Sequence, residues 1–158
     1  MSLNDWILSL HLLSAFAMLG AQVVFTTMIV ALWRTDSTQR VTSYMLISRI
    51  GTVLVIAGSV GTLVFGVWLS LSKEPYDIWD LWIVAALVLW LVAGALGGQG
   101  GTLYGNAAMD AAKLHESGVE TSAELPTAFG PSRAFWLHVA GTVIVLVILV
   151  LMIWKPGA

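Results

Sequence analysis

The sequence has no cysteine, which excludes disulfides, iron–sulfur clusters and thiolate metal sites and leaves the redox compartment unmarked. Charge is scarce as well. Only 10% of the residues are charged, against roughly a quarter in soluble domains, too few to coat a water-facing surface. The net charge of −2 leaves no nucleic-acid footprint. The basic residues are scattered, so no polybasic lipid-binding cluster forms. No acidic residue falls inside an apolar run, which argues against a carboxylate proton relay. HExxH, nucleophile and phosphate-loop motifs are all missing. GGQGG, at 97–101, has the composition of a glycine-rich loop but not the strand context that a nucleotide site requires.

Apolar residues, at 58%, supply the rest, and they come in blocks of the ~20 residues that span a bilayer. The chain is therefore expected to be one integral membrane domain over 1–158, an all-α four-transmembrane-helix bundle of up-and-down topology. The helices are read at about 5–33, 50–71, 78–104 and 134–154, with a polar loop over 105–133. The first block, Trp6 to Trp33, is too long for a signal-peptide core and has no basic region before it, so it reads as an uncleaved spanning helix. Ser43 to Arg49 is a candidate wet leading turn of the second helix, and NAAMDAAKLHES (106–117) has the composition to extend the third into water. Pro75 breaks the chain in KEPYD (73–77), and Pro126 and Pro131 break it in the long loop. Ser132 is placed to N-cap the last helix, which Pro156 and Gly157 stop. Valine- and isoleucine-rich runs favour strands in water, but in lipid each segment must satisfy its own backbone, and helices do so.

Lys and Arg set the orientation. Arg34, Arg40, Arg49, Lys113 and Arg133 fall at one end, Lys73 and Lys155 at the other. The richer side is expected in the cytoplasm, with both termini outside, in a bacterial plasma membrane. Every tryptophan except Trp90 falls near a helix end, where interfacial aromatics belong. Small residues form stripes: Gly58, Thr62 and Gly66 in the second helix, with Gly51 also there, and Gly94 with Gly98 and Gly97 with Gly101 in the third. Such stripes let helices approach closely in lipid. Bundle packing is the simpler reading, and room for a flat cofactor or a partner helix the sharper one.

Two histidines lie in the spans. His11 shares one face of the first helix with Ser14, Met18 and Gln22, a polar stripe that should look into the bundle. His138 lies early in the last helix, nearer the cytoplasmic interface, where water or headgroups can satisfy it. His115 falls in the polar loop and reads as a solvated residue. Each membrane histidine reads either as a hydrogen-bonded packing residue or as a haem or metal ligand. One shared iron is excluded by depth. The two differ by ~20 Å along the membrane normal, whereas axial nitrogens of one iron are two bond lengths apart. Met152, with Trp154 and Lys155, lies near the depth of His11 and is a candidate second haem ligand. Met28 and Met45 lie near the depth of His138. Arg49, and Arg34 after it, are candidates to face haem propionates, against the simpler reading of positive-inside anchoring.

LHLLSA (10–15), RIGTVLVIAGSVGTLVFGVWL (49–69) and LVLMIWKPG (149–157) together resemble a family of small bacterial four-helix membrane proteins of unknown function. More distantly, the layout is similar to CopD-type copper-resistance proteins and HemJ-type protoporphyrinogen oxidases. The HemJ resemblance implies haem association and a functional histidine in the first helix, the place His11 occupies. It also implies a lysine in the third helix shortly after a tryptophan. This chain has Ala85 and Ala86 after Trp82, which argues against protoporphyrinogen oxidation. The CopD resemblance implies copper handling, toward which the chain offers His11, Met18 and Met152 but no clustered Met or His motif.

The leading expectation is a small membrane protein that binds haem b, with His11 as axial ligand and Met152, His138 and Arg49 as further candidates, passing electrons to a partner or quinone. His11 and His138 are the candidate metal ligands. The alternative is a non-enzymatic structural or assembly subunit that docks a membrane partner or a second copy through its glycine stripes. A third reading is copper or other metal handling. Beyond the lipid bilayer no partner is specified, and no nucleic acid is expected.

Overall fold

A computed structural model describes residues 2–72 and 77–156, the Leu46 side chain excepted. The KEPYD turn thus lies outside the described residues apart from Asp77, and so do Lys73 and Gly157. Five helices follow one another: α1 (Leu3–Trp33), α2 (Thr38–Ser72), α3 (Leu81–Glu116), the short α4 (Leu125–Phe129) and α5 (Arg133–Trp154). No strand forms among the described residues, only one isolated bridge between Ser37 and Thr121. Four helical segments are long and apolar enough to cross a membrane. Consecutive long helices are neighbours, giving an up-and-down bundle in which α1 packs chiefly on α2 and α3 chiefly on α5. Large apolar side chains such as Leu13, Phe16, Ile56 and Val143 stay exposed along the outer faces. In a protein so poor in charge, lipid is the solvent that covers them.

The helix ends follow local chemistry. Ser2 caps α1 in a capping box, accepting from the Asp5 amide while Asp5 accepts from the Ser2 amide. Ser132 caps α5 by accepting from the Phe135 amide, and α5 starts one residue before the sequence expectation.

The other boundaries shift for a tertiary reason. α2 begins at Thr38 rather than near Ile50, and α3 runs on to Glu116. At 36 residues α3 is ~54 Å long, well beyond a ~30 Å hydrocarbon core. The overhanging turns of α2 and α3 lie side by side and are closed by α4. There they bury a compact core of Leu32, Val41, Ala111, Leu125 and Phe129, with Tyr104 stacked on Phe129 at 5.7 Å. The segment 105–133 is therefore mostly helical, and its turn is tied to the α1–α2 turn. Thr38 is fully buried, its amide donates to the Glu120 carbonyl and its hydroxyl to the Val119 carbonyl, while the Ser122 amide donates to the Asp36 carbonyl. His115 sits exposed at the same end. Gly130 lets the chain pass between α4 and α5, because a Cβ there would lie 2.7 Å from Trp33 Nε1.

Candidate functional site

The α1–α2 contact is built on missing side chains. A Cβ at Gly58 would meet the Ser14 carbonyl oxygen and the Met18 amide nitrogen at 2.7 Å, and one at Gly61 would collide with the Ser14 hydroxyl. The second-helix stripe thus serves bundle packing, with the backbones in direct approach. At its last member, Gly66, the neighbour is a functional group. A Cβ there would lie 3.0 Å from His11 Cε1. Because Gly66 carries none, the carbonyl four residues earlier, on Thr62, stays open to α1, and His11 Nδ1 lies 3.0 Å from that oxygen.

This contact fixes the tautomer. A carbonyl can only accept, so Nδ1 carries the proton and Nε2 keeps its lone pair. His11 lines a cavity of about 320 Å³ between the α1–α2 pair and the α3–α5 pair. That volume lies in the ~300–1,000 Å³ range of small-molecule sites. Its walls are apolar, with Met18, Trp82, Ala86, Trp90 and Met152 among them, and Lys155 at the end of α5. Thr62 Oγ1 and Trp90 Nε1, on residues of this wall, are buried without a hydrogen-bond partner among the described residues. Such atoms are costly in hydrocarbon, and a polar ligand atom or a water is the usual answer.

The other candidates fall elsewhere. His138 Nε2 lies 2.8 Å from Thr26 Oγ1. Thr26 gives its only hydroxyl proton to the Gln22 carbonyl, so His138 Nε2–H is the donor in that pair. The neighbouring rung is reciprocal: Gln22 Nε2 donates to Thr142 Oγ1, which donates to the His138 carbonyl. Four polar residues thereby close a ring that ties α1 to α5, half-buried at Gln22, His138 and Thr142 and exposed at Thr26. Thr26 is fifteen residues from His11, ~22 Å along α1, so His138 is a full cavity's length away and is not among the lining residues. Arg49 is exposed and lies thirteen residues, ~20 Å, from Thr62 along α2, near the level of His138. Met28 is buried near the far end of α1. Of the sequence candidates, the structure therefore brings together His11, Met152 and Met18, and keeps His138 and Arg49 apart from them. No group of three His, Cys, Asp or Glu side chains able to hold a metal ion occurs among the described residues.

A family model described as "Predicted integral membrane protein (DUF2269)" matches residues 5–156. The chain belongs to that family. No curated protein and no solved structure matches it. Membership in DUF2269 agrees with the four candidate spans found among the described residues: the protein is a multi-pass integral membrane protein.

Sequence reasoning reached His11 and Met152 but missed the residues that orient the imidazole. Thr62 and Gly66 were visible only as a small-residue stripe. Trp90 is the one mid-span tryptophan, and that oddity is the available signal of an interior wall.

The ring around Gln22 gives a modest prediction. Gln22→Leu removes the donor to Thr142 and is expected to cost about 1 kcal/mol, the usual size of an interhelical hydrogen bond in a membrane bundle. Reversible unfolding in mixed micelles measures it, and an unchanged midpoint would show that the ring contributes nothing.

Proposed function

We propose that this protein binds haem b in the cavity beside His11, with His11 Nε2 as an axial ligand. The observation that carries the reading is the His11 Nδ1–H donating to the Thr62 carbonyl at 3.0 Å. A ring N–H held by a carbonyl is the arrangement that orients ligating imidazoles and raises their basicity. The donor set fits the group: one imidazole with a free lone pair, thioethers on Met18 and Met152 in the same cavity, and flat indole walls from Trp82 and Trp90. A bound haem would supply one-electron transfer, to or from a quinone or a partner protein. The first-helix histidine of HemJ-type proteins supports the same reading, whereas the alanines at 85 and 86 give no support to their oxidase chemistry. In this reading the protein works in a bacterial plasma membrane, and five basic residues at the end of the bundle that carries the α1–α2 and α3–α5 turns support both termini being outside.

The test is a visible spectrum of the detergent-purified protein as isolated and after adding hemin. Wild type and His138→Ala are expected to show a Soret band of bound haem, and His11→Ala to lose it. A colourless protein whose added hemin keeps its free spectrum would end the proposal.

One observation favours the second reading, a structural or assembly subunit. Cβ atoms added at Gly94, Gly97, Gly98, Gly101 or Gly105 on α3 would meet nothing within 4 Å. A bare glycine ridge gives a partner helix or a second copy a place for close backbone approach. Co-purification of a stoichiometric membrane partner with haem-free protein favours this reading.

A further inference from the structure

We infer that the His11 cavity opens sideways into the bilayer, between the halves of α1 and α5 that carry the chain termini, and takes a molecule dissolved in the membrane rather than one dissolved in water; this rests on the cavity being a ligand site. The rim is marked by residues that line the cavity and are also exposed on the surface of the bundle. On α1 these are Leu8 and Leu12, and on α5 Leu149 and Ile153, all between 37% and 66% exposed. Among the described residues, no cavity-lining residue of α2 or α3 is exposed. α2 and α3 therefore form the back wall, and the opening lies between α1 and α5.

The pairing of the helices leaves this gap. Backbone approach between α1 and α5 is slight, since α1 packs chiefly on α2 and α5 chiefly on α3. Gln22 with Thr142, Thr26 with His138 and Trp33 with Phe135 join the two helices in the half that carries the α1–α2 turn. The first two pairs advance by four residues on α1 and step back by four on α5, so the helices are antiparallel in a fixed register. Seven residues from Gln22 and Thr142, the same register sets Ala15 opposite Leu149, and both line the cavity.

The end nearest the termini is packed. Ile7, Ser70, Trp82 and Ile83 are buried there, and Lys155 Nζ lies over the Trp82 ring, 5.9 Å from its centroid. The exposed rim, by contrast, is leucine and isoleucine alone, within two long apolar spans. A ligand that enters across it keeps its apolar body in hydrocarbon throughout, whereas an ion or a sugar would have to shed its water at the rim. Haem, a largely apolar disc, belongs to the admitted class.

The absence of cysteine leaves an introduced pair as the only thiols. The Ala15→Cys/Leu149→Cys protein in phosphatidylcholine vesicles is bridged across the opening with a reducible bis-thiosulfonate reagent and reopened with dithiothreitol. The probes are a phenyl diazirine dissolved in the bilayer, its photoinsertion sites mapped by mass spectrometry, and hemin, followed by Soret absorbance. With the opening free, the diazirine is expected to insert into Leu63, Val67, Ala86 and Leu87 on the back wall. Bridging is expected to abolish that insertion and to slow hemin uptake, and reduction to restore both. Insertion into the exposed Phe16 and Val143 should stay constant throughout, which shows that the bridged protein remains folded. Back-wall insertion that is equal in bridged and reduced protein, or absent from both, overturns the opening. Hemin bound at the same rate by bridged and reduced protein also overturns it and leaves the haem reading intact. Insertion that follows the bridge while hemin gives no bound Soret band supports the opening and ends the haem reading.

Discussion

Gly58→Ala is expected to destabilise the bundle by about 3 kcal/mol, whereas Gly94→Ala leaves stability unchanged or raises it by up to ~1 kcal/mol. Both glycines sit inside long apolar helices, and both belong to stripes that look alike in sequence. Their surroundings decide the outcome. At Gly58 the new methyl would stand 2.7 Å from two backbone atoms of α1 and 3.1 Å from Met18 Cα. Backbone cannot rotate away as a side-chain tip can, so α1 and α2 must separate. Separation loosens the Ser14 contact at Gly61 and carries His11 away from Thr62, three and four residues from Gly58 being short distances along a stiff rod. At Gly94 nothing lies within 4 Å, so alanine adds only helix propensity. Unfolding midpoints of both variants in one mixed-micelle series measure the contrast. Equal midpoints would show that the α1–α2 approach is not what holds the bundle. Gly94→Ala as the more damaging change would place a partner or a second copy on the α3 ridge.

The contrast also marks what was legible. The spans could be read because a run of apolar residues of sufficient length has one stable form in lipid. His11 could be read because a histidine in such a run must face inward. The Ser132 cap is local chemistry that four residues encode. Small-residue spacing, however, encodes only the capacity for close approach. It does not say which neighbour arrives, and so it could not separate Gly58, pressed on α1, from Gly94, facing lipid. The same limit hid the partners of the histidines. The Thr62 carbonyl is backbone and has no residue signature, and Thr26 is a commonplace threonine until α5 is laid beside it. Arg49 falls at the level of His138 in the sequence and in the structure alike. Once Gly66 is paired with His11, Arg49 falls ~20 Å away. The start of α2 was misplaced for a related reason. Ser43 to Arg49 reads as a wet leading turn of the second helix, but the helix starts earlier still, at Thr38, because it continues beside the overhang of α3.

That overhang makes a second strong prediction. Thr38→Val keeps the volume and the β-branch but removes a hydroxyl that donates at 2.7 Å to the Val119 carbonyl and lies 3.1 Å from that of Glu120. Thr38 is wholly inaccessible, so water cannot take over. The Glu120 carbonyl keeps the Thr38 amide at 3.0 Å, but the Val119 carbonyl has lost its short hydroxyl donor. A buried acceptor left without its donor costs about 1–3 kcal/mol, and the upper part of that range is expected here. The effect should be confined to one end of the molecule. The turn after Gly118 would detach from Asp36 and Ser37, α4 would lose its seat on Leu32 and Val41, and amides from Val119 to Phe129 would exchange faster with deuterium. The His11 cavity, built from the opposite halves of the long helices, would keep its ligand and its spectrum. If Thr38→Val instead bleached bound haem without speeding exchange over 119–129, the two ends would be coupled through the helices, and the division into a packed cap and a ligand-binding half would be wrong.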